Sequence, residues 1–193
     1  MYNLVNIFHA KLLGCAHCVK DYSISVYQAR YTTYVVAKYL DTATVKSSKN
    51  FDKTTFPYDM IFTKADASTS DENFENFTRE FNIHYRACIG SLIYVFSKRV
   101  DLIFVVHKLS KISSNPGIVH FEVLVRLLGY IRDNNTLGLK YYANINDAPL
   151  YDLLRQVRIK TENRFMVFSD SSWQDCPDTD RSIGAYIIFY QGG

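Results

Sequence analysis

One tryptophan, four prolines and four cysteines in 193 residues leave little room for several protein classes. The N-terminus lacks the basic start and long apolar run of a secretory leader. Cys15, Cys18, Cys88 and Cys176 therefore read as reduced thiols in an intracellular chain. Apolar runs such as LIFVVH are far too short to cross a bilayer, so no membrane partner is expected. There is no glycine-rich phosphate loop of the GxxxxGK[ST] type. An excess of one charge sign is missing too. The 22 Lys and Arg against 19 Asp and Glu leave +3, too little to define a polyanion partner but no obstacle to one.

What is present suits a globular protein. Hydrophobic residues make up 48% and charged residues 21%, and the length suits one large domain or two small ones. Aromatics reach 15%, with 15 tyrosines. No fixed-period repeat is evident.

The pattern changes four times along the chain. Residues 1–28 read as two short strands, KLLGCAHCV and SISVYQ, around a polar turn. ARYTTYVVAKYL follows as an amphipathic helix. Residues 41–84 are rich in Ser, Thr, Asp, Asn and Lys and read as a polar surface connection with at most a short helical turn; Pro57 disfavours helix at Phe56. Residues 85–136 hold three amphipathic helices. The first sets Ile89, Leu92, Ile93 and Phe96 on one face, and the second does so with Leu102, Val105, Val106 and Leu109. Asp101 is placed to cap the second, and Asn115-Pro116-Gly117 to end it. Residues 137–193 hold LGLKYY, a polar stretch, and the strands RFMVFSD and SIGAYIIFYQGG. The fold class is α+β, with a helical middle. The last strands, residues 165–193, are expected to be the least well-packed ordered part, or to borrow LGLKYY as a partner.

Asp170 is the strongest single candidate for chemistry. A strand that runs into an aspartate puts a carboxylate where a sheet meets solvent, a common way to hold Mg²⁺. A strand-end Asp entering a turn has the same look, and Asp175, Asp178 and Asp180 read as turn residues. Cys15-Ala16-His17-Cys18 has thiol spacing suited to zinc, with His9 as a third donor, but no second ligand pair exists. His107 and His120 have no evident nucleophile, and Cys88 or Cys176 would have to supply one. Lys98, Arg99, Lys108, Lys111 and Arg126 stand beside aromatic-rich helices. They suit a phosphate backbone as well as they suit solvated helix faces.

Four stretches in order resemble the Ty1/copia-type retrotransposon polyproteins. YRACIGSLIYVFSKRVDLIFVVHKLSKISSNP is similar to the segment that follows the reverse transcriptase catalytic region. HFEVLVRLLGYIRDNNTLGLKY is similar to the family's HWE…GLxY stretch. FSDSSWQDCPDTDRSIGAYIIFYQGG looks like the start of its RNase H domain. LLG with SISVYQARYTTYVVAKYL is similar to its FLG…Q-x-x-Y pattern. The resemblance is weakest over residues 41–84.

The resemblance implies the end of a reverse transcriptase region over residues 1–40 and a polar connection over 41–84. A helical thumb- or connection-like segment would follow over 85–136, then truncated, incomplete RNase H-like strands over 137–193. It implies an RNA–DNA hybrid or other nucleic acid as partner, the remaining polyprotein segments as further partners, and Mg²⁺ as cofactor with Asp170 as one ligand. The sequence contains no Asp-Asp pair, so it lacks the family's polymerase aspartates. The family's further RNase H carboxylates lie on a later helix and strand, and the chain alone is expected to be inactive. Val100, Phe121, Ser172 and Asp180 depart from the family's residues at their positions. The alternative reading is a non-catalytic nucleic-acid-binding or scaffold module that uses the basic helices and ignores Asp170. A third is a remnant with no role.

Overall fold

The computed structural model describes residues 9–12, 15–20, 22–43, 61–157, 165–173, 176 and 178–190. Pro57, Asp175 and the rest of the 44–60 segment lie outside them. The chain divides into two compact units, residues 28–137 and residues 1–27 with 138–193. The topology is mixed α+β, with short antiparallel strands and several helices.

The first unit is helical. It holds α1 (Ala29–Tyr39), α2 (Asp71–Phe81), α3 (Tyr85–Phe96), α4 (Ile103–Lys111) and α5 (Ile118–Asp133). α5 runs through the middle. Phe121, Leu124, Leu127, Leu128 and Ile131 are fully buried on it. Spacing of three and four residues keeps these side chains together. Phe121 is a hub of rings, with Phe81 stacked at 5.1 Å, Tyr85 tilted at 5.1 Å, and Phe77 and Phe74 at 6.3 and 6.5 Å.

α2 corrects the expectation of a polar connection at residues 71–81. Its signals are local and legible. Ser70 accepts a hydrogen bond from the Asn73 N–H at 3.2 Å, and Asp71 and Glu72 sit in the first turn against the helix dipole. Phe74, Phe77 and Phe81 recur three and four apart, and Asn82 ends the helix in the left-handed region at φ 52°.

The three expected helices of residues 85–134 are present, with adjustments. Ile93 is exposed, because the buried face of α3 runs through Cys88, Ile89, Leu92 and Val95. α4 stops at Lys111, ahead of Asn115-Pro116-Gly117. Asp101 does not cap it. The α4 N-cap is Leu102, and the Asp101 carboxylate is taken by Arg99 instead.

The connection into α5 is fixed tightly. Ser68 N–H donates to the Asn115 carbonyl at 3.0 Å, and Ser68 Oγ donates to the Pro116 carbonyl at 2.6 Å. A Cβ at Gly117 would clash with the Asp66 backbone carbonyl. Glycine is needed here for close approach.

The second unit is built on strands. β1 (His9–Leu12), β2 (Cys15–Lys20), β3 (Ser23–Tyr27) and β4 (Gly138–Tyr142) form an antiparallel sheet in the order β1-β2-β3-β4. KLLGCAHCV, expected as one strand, is shared between β1 and β2. Gly138 lies against β3, where a Cβ would strike the Val26 carbonyl.

α6 (Pro149–Gln156) replaces part of the expected polar stretch. Pro149 suits the first helical turn, and Tyr151 and Leu154 are buried. β5 (Phe165–Ser171) and β6 (Gly184–Tyr190) form a separate antiparallel ribbon, open at its edges among the described residues. LGLKYY pairs with β3 and lends nothing to this ribbon. Most ribbon side chains are exposed, as expected of its packing.

Candidate functional site

α4 presents two faces of different chemistry. Leu102, Val105, Val106 and Leu109 are fully buried, which turns Phe104, His107 and Lys111 outward and leaves Lys108 half-buried at the edge of that face. Phe104, Lys108 and Lys111 are spaced by four and three residues and form one stripe. Phe104 is 54% exposed, and the Lys108 ammonium lies 5.5 Å from its ring centre. The helix has no acidic residue, and both lysines fall in its last turn, where the dipole favours cations. The His107 imidazole is held below its ordinary range, first by burial and then by Lys111 and Lys108. The stripe is a cationic surface with an aromatic plane in it.

The other basic candidates separate by environment. Arg99 is 1% exposed, although it is among the largest side chains of the core. Its Nε and one terminal nitrogen grip both Asp101 carboxylate oxygens at 2.9 and 2.7 Å. The other terminal nitrogen donates to the Asn134 carbonyl at 2.8 Å, and the guanidinium lies 5.7 Å from the Tyr130 ring centre. Arg99 thus ties the α3–α4 connection to the end of α5. Lys98 is half-buried just beyond α3, and Arg126 is half-buried on α5.

Gly90 was not singled out from sequence. It sits mid-helix on the outward face of α3, beside exposed Ala87, Ile93 and Tyr94. A Cβ there meets nothing within 4 Å, so packing does not require glycine. A glycine inside an amphipathic helix costs about 1 kcal/mol relative to alanine, and such a position suits close approach of a ligand to the backbone. That interruption of the helical pattern was the available signal.

Asp170 lies near the end of β5, opposite Ala185 of β6. It is exposed, and its Oδ1 accepts the Ser171 N–H at 2.8 Å. It borders an open depression of about 560 Å³ with Ser169, Ser171, Gly184, Ala185 and Tyr186. Among the described residues, no group of three or more His, Cys, Asp and Glu could hold a metal ion. Asp178 and Asp180 are exposed in the turn, and Asp180 is left-handed at φ 53°. Among the described residues lining that depression, Asp170 supplies the one carboxylate.

The remaining candidates sit in unlike settings. Cys15 and Cys18 lie on β2, with His9 opposite Cys18 in the β1–β2 register. Cys88 is fully buried, and burial pushes its thiol far up, which suits a packed hydrophobe rather than a nucleophile. Cys176 sits in the 176–181 turn, where a hydrogen bond with Thr179 draws its thiol down. His120 is fully buried at the start of α5. Its Nδ1 accepts the Gly117 N–H at 3.0 Å, and its ring packs 4.6 Å from Phe62. Among the described residues, no helix is long and apolar enough to cross a membrane.

Comparison with known proteins adds two relatives. The chain is 26% identical over 113 residues to a secreted RxLR effector protein 161 of Plasmopara viticola, covering 58% of this chain and 68% of that one. It is 29% identical over 94 residues to an uncharacterized mitochondrial protein of Arabidopsis thaliana, covering 49% of this chain and 70% of the other. No family model matches the chain. No solved structure matches it either.

Proposed function

We propose that this chain is a segment of a Ty1/copia-type retrotransposon polyprotein, from the end of reverse transcriptase to the first RNase H-like strands. In this reading it binds the backbone of an RNA–DNA hybrid and does not hydrolyse it. The observation that carries the binding is the Phe104–Lys108–Lys111 stripe, which lies inside the longest of the four family-like stretches. Lysines supply sequence-independent phosphate contacts, and an aromatic plane can stack on a base or sugar. Gly90 on the outward face of α3 would let a backbone come close. Hydrolysis is left out of the proposal because, among the described residues, Asp170 belongs to no group of three or more potential metal ligands.

Filter binding of an RNA–DNA hybrid across salt concentrations tests the proposal. The logarithm of affinity should fall linearly with the logarithm of salt. Replacing both Lys108 and Lys111 by alanine should flatten the slope by about 0.7–0.9 per lost phosphate contact. An absence of binding at low salt would remove the function. Mg²⁺-dependent cleavage of the hybrid that disappears in Asp170→Asn would overturn the non-catalytic part.

A further inference from the structure

β6 is an open sheet edge. Among the described residues it pairs with β5 alone, so its far side presents unpaired backbone N–H and C=O groups. Soluble proteins usually guard such an edge with a lysine, a proline, a bulge or a very short strand. β6 reads GAYIIFY, has no charge and no proline, and stays in unbroken register with β5 from Gly184 to Tyr190.

The order of side-chain sizes along β6 gives the edge a specific complement. The small residues are at one end and the large ones at the other. Lay the strand antiparallel against itself about a two-fold axis at Ile187. Gly184 then faces Tyr190 of the other copy, Ala185 faces Phe189, and Tyr186 faces Ile188. Aromatic residues thus meet glycine, alanine or a branched aliphatic, pairings that favour adjacent strands. The space beside Gly184 is open, with nothing within 4 Å of where its Cβ would be. Tyr186 is 75% exposed and Tyr190 is also exposed, so both rings are available. The same operation on β5 about Phe168 would press the Asp170 carboxylate against Met166, an unfavourable match.

We propose that β6 is a self-association edge that takes β6 of a second copy of this chain, antiparallel and centred on Ile187. The isologous pairing closes on itself and turns two marginal two-stranded ribbons into one four-stranded sheet.

Sedimentation velocity of the full chain across micromolar concentrations tests this. The weight-average mass should climb from monomer toward dimer. Ile187→Lys places two ammonium groups face to face on the axis and should raise the dissociation constant about tenfold or more. Ile187→Glu should do the same, and mixing the two variants should restore association. A wild-type chain that stays monomeric overturns the proposal. So does an Ile187→Lys variant that associates like wild type, which would assign self-association to another surface. A Lys/Glu mixture that does not recover also overturns it.

Discussion

Gly90 and Gly117 should respond to alanine with opposite signs, although neither has a backbone conformation that demands glycine. Gly90 is on the outward face of α3 with open space around it. Alanine there adds helix propensity and restricts the unfolded chain, for a gain of about 0.5–1 kcal/mol. At Gly117 the new methyl would run into the Asp66 carbonyl, which is backbone and cannot rotate away. The loop can retreat only by straining the two Ser68 hydrogen bonds to Asn115 and Pro116. Each such bond contributes about 1 kcal/mol net, and overpacking costs about 1–3 kcal/mol more. Subtracting the small gain from a stiffer unfolded chain leaves Gly117→Ala about 2–4 kcal/mol less stable. Urea titrations followed by far-UV circular dichroism give the answer as midpoints at unchanged slope. A Gly117→Ala midpoint close to wild type would refute the steric argument. A destabilised Gly90→Ala would mean that the outward face of α3 is packed after all. If Gly90 serves close approach, the stabilised Gly90→Ala protein should also bind hybrid less tightly.

Acid should weaken the helical unit through His120. Burial lowers its folded-state pKa below the ordinary 6.5, so the unfolded chain binds the extra proton first. Stability contributed by the neutral ring is intact above that value and declines as pH falls below it, by at most about 1.4 kcal/mol per pH unit. His120→Gln, which keeps an acceptor for the Gly117 N–H, should flatten that decline in urea titrations between neutral and mildly acidic pH. A curve unchanged by the substitution would exclude His120 as the cause. His107 should report binding. A bound polyanion offsets Lys108 and Lys111, so its NMR titration should move up on adding hybrid, with affinity rising as pH falls. An unmoved titration would place the nucleic acid elsewhere. Arg99→Ala should cost about 3 kcal/mol, the low end for a broken buried pair, because Asp101 is 34% exposed and can hydrate. Arg99→Lys should recover only part of that loss, since an ammonium cannot grip both carboxylate oxygens; full recovery in urea titrations would contradict the two-point geometry.

Periodicity made the helices α1, α3, α4 and α5 legible because their buried positions repeat at three and four residues. α2 carries the same spacing in Phe74, Phe77 and Phe81, yet its Ser, Asp, Glu and Asn content hid it. Composition spoke for a loop while capping and phenylalanine spacing spoke for a helix, and the helix prevails because those rings have Phe121 to pack against. The Asp101 cap was misjudged for a different reason. Its partner Arg99 is two residues away but is fixed by Asn134 and Tyr130, which are distant in sequence. Single-chain patterns carry no such long-range partners. The same limit applies to the basic candidates, which look alike as letters although Arg99 is buried and Lys111 is exposed. Only Lys108 and Lys111, spaced for one helix stripe with Phe104, could have been grouped beforehand.

The proposed binding surface and the proposed association edge belong to different compact units, and this makes them separable. The α4 stripe is supported by the α5-centred core, with Val105, Val106 and Leu109 fully buried beneath it. Ile187 lies on the ribbon, outside that core. A charge at Ile187 should therefore weaken association and leave the affinity for a short hybrid, with room for one stripe, unchanged. A dimer carries two stripes, and on a hybrid long enough to engage both, the wild type should gain affinity through raised effective concentration. Loss of short-hybrid binding in Ile187→Glu but not in Ile187→Lys would show that the ribbon itself contacts nucleic acid. Asp170 would then return as a candidate residue at the interface.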